Sequence, residues 1–155
     1  MSKSALGAHA VGTANRALWQ VEISKIFAPL TIEKIIGMAD GIDGDSKDVN
    51  PLHRDDLEAA RQNFASGMIL PGTALITWAA AMVSAKISCV VFSAMQISFR
   101  GDLHVGSVPR INIVISGKGN ARLARVSVDV IDLADNRIVA KGEGVVRMPV
   151  DWHYE

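Results

Sequence analysis

From Gly72 to Val83 the chain reads Gly-Thr-Ala-Leu-Ile-Thr-Trp-Ala-Ala-Ala-Met-Val, which is apolar nearly all round a helical wheel. A helix of that kind has no solvent face of its own and must be covered by other elements. The apolar run from Met68 to Val83 contains Pro71, Gly72, Thr73 and Thr77. It falls short of the roughly 20 residues that a membrane span requires, so the expected cover is protein and not lipid. That cover follows directly in the chain. Cys89 to Phe99, Ser107 to Ser116, Arg122 to Leu133 and Arg137 to Met148 carry β-branched alternation, as in Arg110-Ile111-Asn112-Ile113-Val114-Ile115. Turn formers separate them: Gly101-Asp102, Gly117-Lys118-Gly119-Asn120 and Asp135-Asn136.

The part before the helix is read the same way. Leu18 to Ile23 alternates apolar and polar residues, the mark of a half-buried strand. Pro29 closes that segment, and Thr31 is placed to cap a short helix through Ile32 to Ala39. Asp40 to Pro51 is polar and glycine-containing, hence a loop. Asp55 and Glu58 resemble a capping box that opens a second short helix running through Arg61. One strand, one central helix and four further strands make an α+β domain. The sheet must curve around the helix, because nothing else is large enough to cover it. That arrangement, a single curved antiparallel sheet wrapped around one central buried helix, is the hot-dog fold. Residues 1–17, rich in Ala, Gly and Ser, are expected to be a flexible tail, and 18–155 the domain. A single copy leaves a sheet edge open, so a homodimer or higher homo-oligomer is expected.

Bulk properties exclude several function classes. Lys+Arg and Asp+Glu both count 16, so no overall positive field exists to hold nucleic acid or an anionic membrane. Cys89 is the only cysteine, which rules out an internal disulfide and a cysteine metal cluster. Its setting, Ser88-Cys89-Val90-Val91-Phe92, reads as a buried small hydrophobe, and a lone thiol fits a reducing cytoplasm. His9, His104 and His153 share no metal-ligand spacing with His53, so no metal is expected. Trp78 and Met82, four apart on the apolar helix, read as core. Arg100, Lys118, Arg122 and Arg125 read as a solvated face that could also touch substrate phosphates.

The most informative stretch is Asp48-Val49-Asn50-Pro51-Leu52-His53. It resembles the signature Asp-x-Asn-Pro-(Leu/Ile)-His of MaoC-like dehydratases and (R)-specific enoyl-CoA hydratases. Leu30 to Ile35 lies upstream where that family has a short helix, and Ile69-Leu70-Pro71-Gly72-Thr73 lies where it opens a helix. Phe99-Arg100-Gly101-Asp102-Leu103-His104-Val105-Gly106 is similar to its Phe-x-x-Pro-Val-x-x-Gly-Asp turn. The resemblance covers about Val21 to Met148. It implies the hot-dog fold and hydration of a 2-enoyl thioester to an (R)-3-hydroxyacyl thioester. No cofactor is expected beyond the coenzyme A or acyl carrier protein that belongs to the substrate. Where the family writes glycine before the aspartate, this chain has Lys47, whose ammonium could depress the Asp48 pKa or reach a phosphate.

The residue types suit that chemistry on their own terms. Hydration needs one proton to leave water and another to reach the α-carbon. A carboxylate and an imidazole converging on one water can divide those tasks. Pro51 fixes its own φ and keeps Asn50 out of the helical region, bending the loop so that Asp48 and His53 can point into one cleft. Asn50 offers a donor and an acceptor to orient them. Gly72 opens a helix whose unpaired amides could hold the thioester carbonyl as charge develops on it. Taken singly, Asp48 is a turn carboxylate, His53 a surface histidine beside Arg54, Asn50-Pro51 a loop breaker and Pro71-Gly72 a good helix start. Their joint occurrence carries the catalytic reading. Two alternatives stay open: a hot-dog thioesterase, which would want an acid on the central helix, and a hot-dog module with altered or no catalysis. No Asp or Glu occurs between Gly67 and Ser98.

Overall fold

A computed structural model describes residues 18–41, 49–64 and 66–153. In chain order the elements are β1 (Leu18–Ile26), α1 (Ile32–Asp40), a single 3-10 turn (Pro51–His53), α2 (Asp56–Arg61) and α3 (Gly72–Lys86). β2 (Val91–Phe99), β3 (Pro109–Lys118), β4 (Leu123–Asp132) and β5 (Arg137–Arg147) follow. The five strands form one sheet in the order β1-β3-β4-β5-β2, and every neighbouring pair is antiparallel. β1 and β2 stand at opposite edges of that sheet, yet both pack on α3, as does β3. A flat sheet could not bring its two edges to one helix. It is curled around α3, which is the expected α+β hot-dog arrangement.

Alternation sets which face of each strand turns inward. Ile111, Ile113 and Ile115 of β3 and Val126, Val128 and Val130 of β4 are each at most 2% exposed. Arg110, Asn112 and Val114 between them point to the other face. Shifting the register by one residue would expose the whole set, so the hydrophobic pattern itself specifies the pairing Ile113↔Val128. Between β2 and β5 the register breaks at Phe92/Ala94. There Gly144 is required for close approach, since a Cβ at that position would collide with the Ala94 carbonyl oxygen.

Local capping follows the sequence. The Thr31 hydroxyl accepts from the Lys34 amide at 3.2 Å and starts α1. Asp55 accepts from the amides of Leu57 and Glu58 and starts α2, whereas Glu58 turns to Arg61 and Gln62 instead of closing the capping box. β2 begins at Val91, two residues later than the expected Cys89.

Two expectations are corrected. α3 is not covered on every side. Ala74, Leu75, Trp78, Ala79, Met82 and Val83 are buried, while Thr73, Thr77, Ala81, Ser84 and Ala85 are exposed. Small residues fill the outer stripe, so the wheel looks apolar although one chain's sheet reaches only half of it. Cys89 is also exposed, not buried, because it sits at φ 62° in the turn after α3, ahead of the strand whose alternation would have turned it inward.

Candidate active site

Two backbone bonds assemble the site by drawing distant segments onto the short stretch before α3. The Ile69 amide donates to the Leu52 carbonyl at 2.9 Å, and the Leu70 amide donates to the Leu103 carbonyl at 2.7 Å. Ile69 also bridges His104. The Pro51–His53 turn, the start of α3 and the Gly101–His104 turn therefore meet at one place. They enclose a cleft of about 200 Å³, lined by His53, Gly72 and Asp102 together with apolar side chains such as Leu75 and Leu103.

The 3-10 turn holds His53 in a fixed pose. The Asn50 side-chain oxygen accepts from the Leu52 amide at 3.1 Å, capping the turn, and Pro51 occupies its first position. The following residue, Arg54, donates to the Asp40 carboxylate at 2.6 Å and ties the turn to the end of α1. His53 itself is 9% exposed, and its Nδ1 lies 2.7 Å from the Ile69 carbonyl oxygen. A carbonyl can only accept, so Nδ1 carries the proton and Nε2 holds the lone pair in the neutral ring. Fixing one ring nitrogen in this way presets the other for acid–base work.

Gly72 is the first residue of α3, and among the described residues no side chain caps that helix. The Ala74 amide donates to the Pro71 carbonyl at 3.0 Å, and the amides of Gly72 and Thr73 open the helix at the cleft. The Phe99 ring lies against Gly72, and a Cβ there would sit 2.6 Å from the ring. Glycine thus permits the close ring contact.

Of the four residues singled out from the sequence, His53 and Gly72 line one cleft, and Asn50 shapes the turn that presents His53. Asp48 lies outside the described residues. Sequence reasoning missed Asp102. It falls in a Gly-Asp turn whose ordinary reading is a chain reversal, and only the Leu70–Leu103 bond brings it to the cleft. Arg137 was missed as well. Its guanidinium donates to the Asp102 carbonyl at 3.0 Å and to the Asp135 carboxylate at 2.9 Å. It lies 3.7 Å from Asp132, so it fastens the β4–β5 turn to the cleft wall. Asp132 is fully buried. Burial alone would raise its pKa, but hydrogen bonds from the Ser107 hydroxyl and the amides of Val108 and Ala134, with Arg137 nearby, hold it below the ordinary aspartate value. Of the basic residues read as a solvated face, Arg122 donates to the Met148 carbonyl, while Arg100, Lys118 and Arg125 are exposed.

No family model matches the sequence, and no curated protein matches it. Solved structures do resemble the fold. An (R)-hydratase from A. caviae involved in PHA biosynthesis superposes with a TM-score of 0.68 at 19% identity, over 84% of this chain and 95% of that one. The HadBC complex of Mycobacterium tuberculosis, a 3R-hydroxyacyl-ACP dehydratase, gives 0.60 at 12% identity over 86% and 96%. A MaoC-like dehydratase from Rhodospirillum rubrum gives 0.59 at 16% identity over 86% and 93%. This chain therefore has the hot-dog fold that MaoC-like dehydratases and (R)-hydratases share.

Proposed function

We propose that the protein is a MaoC-like hydro-lyase that adds water to, or removes it from, a 2-enoyl thioester of coenzyme A or an acyl carrier protein. The observation that carries this reading is the shared cleft of His53 and Gly72, with the His53 tautomer set by the Ile69 carbonyl. In it, the thioester carbonyl lies at the opening amides of α3, where the negative charge of the enolate is stabilised. Asp48 and His53 share one catalytic water and pass its proton to the α-carbon, with Asn50 keeping the turn in shape. Because both groups come from one short loop, water and proton add to the same face. The resemblance of the Asp48–His53 motif gives the (R) hand to the product.

The thioesterase alternative is less favoured, because α3 carries no carboxylate along Gly72–Lys86. A homodimer belongs to the same reading, since the described residues leave both sheet edges and the outer stripe of α3 uncovered in a single copy.

Crotonyl-CoA hydration, followed by loss of the enoyl chromophore, tests the assignment. The product should be oxidised by an (R)-specific 3-hydroxyacyl dehydrogenase and left alone by an (S)-specific one. Thiol release in place of 3-hydroxyacyl-CoA formation would instead establish a thioesterase. Light scattering at micromolar concentration should give twice the chain mass of 16.6 kDa.

A further inference from the structure

Asp102 is the one carboxylate among the described residues lining the cleft that holds His53 and Gly72. The wall around it is apolar: Ile69, Leu70, Leu75, Phe99, Leu103 and Val139. Its side chain is 32% exposed, and among the described residues the nearest cation-forming group is the His104 Nδ1, at 3.7 Å, too far for a hydrogen bond. Arg137 does not neutralise it by contact, because its hydrogen bond goes to the Asp102 backbone carbonyl. That bond fixes where the turn stands, and no described residue donates a hydrogen bond to the carboxylate oxygens. Asp102 also stands where the turn it resembles has proline, a residue with no polar side chain.

An alkyl chain filling this cleft would strip water from the carboxylate and return no hydrogen bond, which is a net cost. A group with a proton to give would meet a charged acceptor and form one of the stronger kinds of hydrogen bond. We propose that Asp102 sets substrate class: the acyl group carries a hydroxyl or ammonium substituent that donates to Asp102, and such thioesters are selected over plain alkyl ones. This inference rests on the thioester reading above.

Calorimetry on the full chain tests it without turnover, using two saturated pairs: butyryl-CoA with 4-hydroxybutyryl-CoA, and pentanoyl-CoA with 5-hydroxypentanoyl-CoA. In at least one pair the hydroxylated thioester should bind the wild type about tenfold or more tightly. Asp102→Leu should abolish that preference, and Asp102→Asn, which keeps an acceptor, should retain part of it. Equal affinities within both pairs overturn the proposal, as does a preference that survives in Asp102→Leu. Should the leucine variant not fold, the wild-type comparison still decides. Thiol release that depends on Asp102 would make it a hydrolytic group and overturn the proposal as well. Because binding is the readout, these outcomes are distinguishable from those of the hydration assay, which bears on the hydratase reading.

Discussion

In β3 the side chains of Ile111, Ile113 and Ile115 are each at most 1% exposed, while in the turn from Asn50 to His53 only the histidine is buried. The sheet centre is held redundantly. β3 and β4 repeat the same inward–outward alternation, and each ladder is checked by its neighbour. The turn has no such repeated ladder and is held by individual hydrogen bonds, among them Asn50 to Leu52, Ile69 to Leu52, His53 to Ile69 and Arg54 to Asp40. The difference teaches where stability and chemistry reside. Damage to the sheet should cost folding free energy with chemistry preserved in the molecules that fold. Damage to the turn should cost chemistry with little loss of folding.

The largest expected effect is on the turn side. His53→Ala and Asp48→Asn should each lower kcat for enoyl-CoA hydration by about 10²- to 10⁴-fold. Their thermal midpoints should stay near that of the wild type. A variant keeping more than a third of wild-type turnover would break the contrast. Next comes the sheet. Ile113→Ala leaves a cavity between β3 and β4 and should cost about 2–5 kcal/mol in denaturant unfolding, with kcat per folded molecule unchanged. A large loss of kcat there would mean that the core and the site are coupled.

Asn50→Ala lies between the two. It removes the cap of the 3-10 turn, an effect of about 1 kcal/mol. Turnover should fall by less than for His53→Ala, and loosened presentation of His53 should appear in kcat more than in KM.

The smallest effect is the acid limb set by Asp132. Its folded pKa lies below the unfolded one, so its contribution to stability is present above the unfolded value near 4. That contribution fades as pH falls from about 4 through the lowered folded value. Asp132→Asn should flatten the fall in stability across that window, as measured by urea unfolding at successive pH values. An unchanged slope would show that other carboxylates govern the acid limb.

Much of this molecule is set by short-range pattern. Alternation from Arg110 to Ile115 determined β3, Thr31 determined the start of α1, and Pro51 after Asn50 determined a turn that ends in histidine. These features are local because strand period, side-chain capping and the proline ring act over a few residues. What lay beyond them was decided by contacts between residues far apart in the chain. The apolar wheel of Gly72–Lys86 could not reveal how many of its faces one sheet would reach. His53 could not be assigned a tautomer before folding set the Ile69 carbonyl 2.7 Å from its Nδ1. Asp102 looked like an ordinary turn residue until the Leu70–Leu103 bond and the Arg137 clamp fixed it in the wall of the His53 cleft. A hydrogen bond between distant segments leaves no periodicity in sequence, so the sequence determined the parts and the tertiary structure decided which of them share a cleft.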